Sequence, residues 1–163
     1  MPLFVSFIPT EYELIQGFFE LAPISSNDVV YDLGCGDGRL LFAAIGRGAG
    51  RAVGIDLNVK LIEEALSEAK KRGLEDKVGF ISGDVLDIKL SEASVIFCYL
   101  IGEAAYSLKP KFEAELRPGT RIVMEMFPVP GWKVKRTYVI RHGSETGYRE
   151  FYLYIMPPEY NPE

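Results

Sequence analysis

The segment Val29-Val30-Tyr31-Asp32-Leu33-Gly34-Cys35-Gly36-Asp37-Gly38-Arg39 constrains the fold more than any other part of the chain. β-Branched and aromatic residues lead into glycines at alternate positions, and Leu40-Leu41-Phe42 then opens a helical apolar pattern. A buried strand that runs through a tight turn into a helix is the elementary unit of a parallel α/β sheet. Ligands are held at such a turn. The dinucleotide fingerprint Gly-x-Gly-x-x-Gly requires its third glycine where Arg39 stands, whereas here the spacing is Gly-x-Gly-x-Gly. That difference points away from NAD. The acidic Asp32, two positions before the first glycine, suits a cationic ligand group rather than a pyrophosphate.

At 163 residues and 48% hydrophobic composition, the chain supports one ordinary core and not two. We therefore expect residues 1–163 to form a single domain, divided into an N-terminal segment and helix (1–22), an α/β core (28–127) and a C-terminal β-hairpin (132–156). Thr10-Glu11-Tyr12-Glu13 fits a capping box ahead of the apolar helix face Leu14, Ile15, Phe18, Phe19 and Leu21. Strands are expected over 28–33, 52–56, 77–82, 94–100 and 119–127. The helices between them include one from the glycine turn to about Ile45, one capped by Asn58 and ended by Gly73, and a segment over 103–116 interrupted by Pro110. Such alternation implies a doubly wound, mostly parallel Rossmann-like sheet. After Pro128 and Pro130 the pattern changes to two strands with no helix between, an antiparallel hairpin. Residues 157–163 read as a loose tail.

The net charge of −5 argues against sequence-independent binding to nucleic acid, which requires Lys and Arg to neutralise phosphates. Lys133, Lys135, Arg136 and Arg141 gather locally and read as a solvated strand face. No stretch has the length and apolarity of a membrane span, and no signal peptide opens the chain, so a soluble, cytoplasmic protein is expected. Cys35 and Cys98 form no CxxC pair, and a single histidine, His142, offers no metal cluster, so no metal is expected.

In an open α/β sheet the ligand sits beyond the carboxyl ends of the strands. Three acidic residues stand there: Asp32 after strand one, Asp56 after strand two and Asp84 after strand three. A carboxylate about twenty residues past the glycine turn is placed to accept both hydroxyls of a ribose. Asp84 is placed to accept from an adenine amine while the Val85 N–H donates to a ring nitrogen, and Asp32 faces an amino acid ammonium. An adenosyl amino acid without phosphate, S-adenosylmethionine, satisfies all three. The expected cofactor-binding set is Asp32, Gly34, Cys35, Gly36, Gly38, Asp56, Leu57, Asp84 and Val85. Standing alone, Asp56 reads as a residue preceding a helix and Asp84 as a turn residue.

With these residues in hand, the chain resembles the class I, seven-strand S-adenosylmethionine-dependent methyltransferases. More narrowly, it is similar to the protein-lysine methyltransferases that include archaeal broad-specificity enzymes and mitochondrial enzymes acting on ATP synthase and on adenine nucleotide translocase. The resemblance rests on Phe7-Ile8-Pro9-Thr10, on the segments 32–39 and 52–58, and on Phe127-Pro128-Val129-Pro130-Gly131-Trp132. It implies a cofactor contact from Phe7 and Thr10, whose segment closes over the ligand, and a protein substrate methylated on lysine. One departure is Asp56, where these relatives usually carry Glu.

Strand four ends Phe97-Cys98-Tyr99-Leu100 and lacks the Asn/Asp-Pro-Pro-Tyr/Phe used on adenine N6 and glutamine acceptors. A lysine amine poses a different problem. Making it neutral at pH 7 costs about 4–5 kcal/mol from a reference pKa near 10.4, and an apolar channel reduces that cost by desolvation. Tyr99, Phe7, Phe127 and Trp132 are the candidates for the channel, with Tyr99 orienting the amine; half-buried packing aromatics are the alternative reading of Tyr99 and Trp132. Two other functions compete: a methyltransferase with a small-molecule acceptor, and a noncatalytic protein that binds an adenosyl ligand, against which the intact acidic positions count.

Overall fold

The computed structural model describes residues 12–100, 103–141 and 148–163. Phe7, Thr10, His142 and the hairpin turn lie outside the described residues, and so does the capping-box residue Thr10 that was expected to open the first helix. In chain order the elements are α1 (Tyr12–Leu21), β1 (Val29–Leu33), α2 (Arg39–Gly46), β2 (Arg51–Asp56), α3 (Val59–Lys71) and β3 (Val78–Ser82). A one-turn 3₁₀ helix (Val85–Asp87) follows, and then β4 (Val95–Cys98), α4 (Glu103–Glu115), β5 (Arg121–Glu125), β6 (Arg136–Arg141) and β7 (Tyr148–Ile155).

The strands form one seven-stranded sheet in the order β3-β2-β1-β4-β5-β7-β6. β3 through β5 are parallel, and β7 runs antiparallel to both β5 and β6. The order reverses between β1 and β4, the switch point at which doubly wound sheets place their ligands.

Alternation along the strands sends side chains to two separate cores. Tyr31, Leu33, Ile96, Cys98, Ile122 and Met124 pack on one face with Leu108 and Phe112 of α4. Val30, Phe97 and Val123 pack on the other with α1 and α2. On that second face Phe18 lies 5.0 Å from Phe97 and 5.0 Å from Phe151, centroid to centroid, and is 1% exposed. The first contact is tilted and the second edge-on, and together they fasten α1 across the junction between the parallel and antiparallel parts of the sheet.

Local chemistry accounts for the element boundaries. Asn58 accepts the Leu61 N–H at 3.1 Å and caps α3, while Gly73 past its end takes φ 68°. The carboxylate of Asp28 accepts from Ser94 Oγ at 2.8 Å and from Arg121 Nη2 at 2.9 Å, binding the start of β1 to β4 and β5.

Three expectations are corrected. Pro110 lies inside an unbroken α4, because Leu108 and Phe112 on either side of it are both fully buried and packing holds the helix through the missing N–H. β4 and β5 are shorter than expected, ending at Cys98 and Glu125. The tail is not loose: Lys133 N–H donates to Glu159 O at 2.7 Å, Asn161 N–H to Gly131 O at 2.8 Å, and Trp132 bridges to Tyr160. Unmet backbone groups beside the sheet edge give the tail its partners.

Replacing Phe18 by Ala is expected to destabilise the fold by about 3–5 kcal/mol, since the cavity lies between packed rings that cannot collapse onto it. Urea unfolding of wild type and variant measures this; a loss below about 1 kcal/mol would mean that α1 is not fastened through this ring.

Candidate active site

The glycine turn is shaped by the residues it must avoid. Gly34, Gly36 and Gly38 have φ of 86°, 56° and 84°, a left-handed backbone that side chains disfavour. The N–H groups of Gly34 and Cys35 both donate to Ile55 O, at 2.8 and 3.1 Å, which ties the turn to β2. A Cβ at Gly38 would stand 2.6 Å from the Phe80 ring. Cys35 is buried and its Sγ would stand 2.7 Å from a Cβ at Gly54, so a small residue is required at both positions. Burial, reinforced by Asp32 and Asp56, pushes the Cys35 thiol far above its ordinary range, so it is not a nucleophile.

Asp56 is 4% exposed at the end of β2. Its Oδ2 accepts the Gly36 N–H at 2.8 Å and its Oδ1 the Asn58 N–H at 2.9 Å, so one carboxylate joins the glycine turn, β2 and the cap of α3. Each oxygen keeps a further lone pair for a ligand hydroxyl. Leu57 beside it is 37% exposed. Asp84 accepts the Leu86 N–H at 2.9 Å and caps the 3₁₀ turn, with Val85 buried behind it. Asp84 thus fills the turn role that its sequence position also allows.

Asp32 faces the cluster built on α1 and α2, is 4% exposed, and has its carboxyl pushed up to about 8. Burial is the main cause, followed by the like charges of Asp56, Glu125 and Asp37. A cationic ligand reverses this, because it replaces lost solvation and offsets the acidic neighbours. The donor set therefore fits S-adenosylmethionine, whose sulfonium and ammonium are both cationic and whose ribose matches the carboxylate of Asp56. Among the described residues there is no group of acidic, cysteine and histidine side chains able to hold a metal ion.

The aromatic candidates separate. Tyr99 is half-buried immediately past β4, and burial and the charge of Glu125 raise its phenol. Phe127 is 40% exposed. Trp132 does not join them. It is 1% exposed in the core of the opposite face, 5.5 Å from the Tyr154 ring and 6.3 Å from Phe112, with Nε1 donating to Glu113 Oε1 at 3.0 Å. A rigid, satisfied indole is a packing group, and the acceptor-channel expectation for Trp132 is withdrawn.

The sequence reading missed Glu125. It ends β5 at 2% exposure, on the same face as Asp32, and its carboxyl is pushed up to about 7 by burial against the lowering effect of Arg149. The signal was present: an acid closing the apolar run Ile122-Val123-Met124 at the carboxyl end of a strand.

Residues 32–136, the span that holds the glycine turn and all these strand ends, match the ANTKMT methyltransferase domain family. The chain belongs to this family. It is a class I S-adenosylmethionine-dependent methyltransferase. A protein-lysine N-methyltransferase of Saccharolobus islandicus is 36% identical over 153 residues, covering 93% of this chain and 94% of the relative. The adenine nucleotide translocase lysine N-methyltransferase of Mus musculus is 33% identical over 63% of this chain, which spans only 44% of that protein. Among solved structures, a Salinibacter ruber RNA methyltransferase in complex with S-adenosyl-L-homocysteine superposes with a TM-score of 0.82 at 33% identity, covering 96% of this chain and 98% of that one.

The perturbed carboxyls make ligand-free methyltransferase sensitive to pH. With a pKa of about 8 against an ordinary 3.8, Asp32 holds its proton more tightly folded than unfolded. Its stabilising contribution is complete below about pH 4 and is lost as pH rises through about 8. Thermal melts should fall across this window, and Asp32→Asn should flatten the fall and melt higher than wild type at pH 8. Identical profiles would mean that Asp32 is ionised in the free protein.

Proposed function

We propose that residues 1–163 act as one methyltransferase domain that transfers the methyl group of S-adenosylmethionine to lysine side chains of protein substrates. The observation that carries this reading is the 36% identity, across almost the full length of both chains, to a protein-lysine N-methyltransferase. The site's chemistry is consistent with it. β4 ends at Cys98 and runs on into Tyr99-Leu100, without the carbonyl-rich motif that would hold a planar amide nitrogen, and Tyr99 lies half-buried where an aliphatic amine would be desolvated. A cytoplasmic, reducing location accords with Cys35 and Cys98, both buried and free.

The bound cofactor supplies an electrophilic methyl on a sulfonium. Asp56 would orient its ribose, Asp32 would meet its cationic amino acid end, and the glycine turn would let backbone approach closely; the family resemblance adds Phe7 and Thr10, which lie outside the described residues. Tyr99 orients the acceptor amine, so that alignment of nitrogen, carbon and sulfur provides most of the catalysis.

The similarity to a Salinibacter ruber RNA methyltransferase supports a second reading, an RNA acceptor. The net charge of −5 weighs against it, since a polyanion is attracted by the opposite sign.

Incubation with methyl-labelled S-adenosylmethionine and a cell extract separates the two. Label in protein that survives base and nuclease and maps to lysine is the expected result; label that nuclease releases would establish RNA, and label confined to small molecules would establish a metabolite acceptor. Asp56→Ala should weaken cofactor binding by about 1.5–3 kcal/mol in calorimetry as charge-assisted hydrogen bonds are lost. Tyr99→Phe should slow transfer while leaving cofactor affinity near normal; undiminished turnover would return Tyr99 to packing.

A further inference from the structure

Glu125 is buried at 2% exposure, and among the described residues its Oε2 has no hydrogen-bond partner. Leaving a carboxylate oxygen unsatisfied away from water is costly, and folded proteins rarely do so without a functional reason. Arg149 on β7 does not relieve it: the guanidinium Nε stands 3.9 Å from Oε1, too far for a hydrogen bond. Among the described residues, the charge of Arg149 acts on Glu125, and the charge of Glu125 acts in turn on Tyr99 and Asp32.

Its place in the sheet says which ligand atom it meets. Strand order sets the carboxyl ends of β2, β1, β4 and β5 side by side. In the cofactor site proposed above, Asp56 on β2 takes the ribose and Asp32 on β1 the amino acid end. β5 is two strands beyond β1, about 10 Å at ordinary strand spacing, so Glu125 stands outside the span from Asp56 to Asp32 assigned to ribose, sulfonium and amino acid, on a side from which an acceptor can approach. Cys98 pairs with Met124, so the next residues along, Tyr99 and Glu125, end adjacent strands together. Val123 packs on the α1 and α2 face and Met124 on the other, and alternation returns Glu125 to the face of Asp32 and Tyr99.

The backbone holds it there. Phe127 N–H donates back to Glu125 O at 2.8 Å, closing a three-residue turn around Met126, whose φ of 67° is the single positive value at a non-glycine among the described residues. Such a turn is strained and rare, and strain of this kind concentrates at functional sites.

We propose that Glu125 receives the acceptor amine, its free carboxylate oxygen binding the incoming ammonium beside Tyr99. This rests on the lysine reading above. The ammonium gives one proton to Glu125, which passes it to water. The freed lone pair on nitrogen forms the bond to the methyl carbon as the carbon–sulfur bond breaks, and the electrons of that bond remain on sulfur as a neutral thioether.

The test is Glu125→Gln, which keeps size and burial, compared with wild type on the lysine-bearing protein found by the labelling experiment. Calorimetric affinity for S-adenosylhomocysteine should stay within about twofold, while kcat/KM for the acceptor falls at least tenfold. The limb of the wild-type pH–rate profile near 7 should disappear in the variant. Arg149→Met, which removes the opposing charge without touching the acceptor, should move that limb to higher pH. Glu125→Asp should recover part of the activity that Gln loses, as a merely structural role would not require. Parallel loss of S-adenosylhomocysteine affinity would reassign Glu125 to the cofactor, and unchanged transfer to lysine would remove it from the site. Wild-type label found on nucleic acid would instead overturn the lysine reading, a result independent of any Glu125 variant.

Discussion

The hydrogen bond from the Gly36 N–H to the carboxylate of Asp56, 2.8 Å long and buried, is the contact on which the site depends. It joins a turn that follows β1 to the end of the neighbouring strand, and the same carboxylate accepts from Asn58 where α3 begins. The paired donation of Gly34 and Cys35 to Ile55 O reinforces it. Together they hold a left-handed glycine backbone that would otherwise sample many conformations, and preorganisation of this kind reduces the entropy lost on ligand binding.

Around that fixed turn the chain assembles negative charge where water is absent. Asp32, Asp56 and Glu125 are each at most 4% exposed at the carboxyl ends of β1, β2 and β5. Within the protein alone this is unfavourable, which is why two of the carboxyls are driven upward in pKa. Two cations resolve the conflict: the cofactor, and in our proposal the acceptor ammonium. An enzyme that gathers two positively charged reactants must counter their mutual repulsion, and a row of buried carboxylates does so. The cost to the folded state is the kind expected of a site shaped for transition-state electrostatics rather than for stability.

Much of this was legible in the residues. The alternation of strand and helix patterns, the glycine spacing, the Asn58 cap and the final hairpin all come from local rules, and local rules hold where burial and hydrogen bonding agree with them. Asp32 and Asp56 were legible because each directly follows an apolar run, and Asp84 because it follows the turn residues Ser82-Gly83 that close β3. Trp132 carried two readings, channel and packing, and the sequence could not choose between them, since the segment from Phe127 to Trp132 does not say which face of the sheet its indole will reach. The tail was misread because its partners, Gly131 to Lys133, are distant in sequence and expose backbone groups only once β6 and β7 have paired.

Glu125 marks the boundary between the two kinds of information. The sequence by itself determined that Tyr99 and Glu125 lie toward the carboxyl ends of the fourth and fifth strands, because period and turn residues locate a strand; that the strands stop at Cys98 and Glu125 was decided by the sheet. Only the tertiary structure decided that β4 enters between β1 and β5, so that Asp32, Tyr99 and Glu125 meet on one face. Strand order is a long-range choice made by the packing of whole layers and by the handedness of crossovers. No local pattern of residues encodes which strand ends will become neighbours.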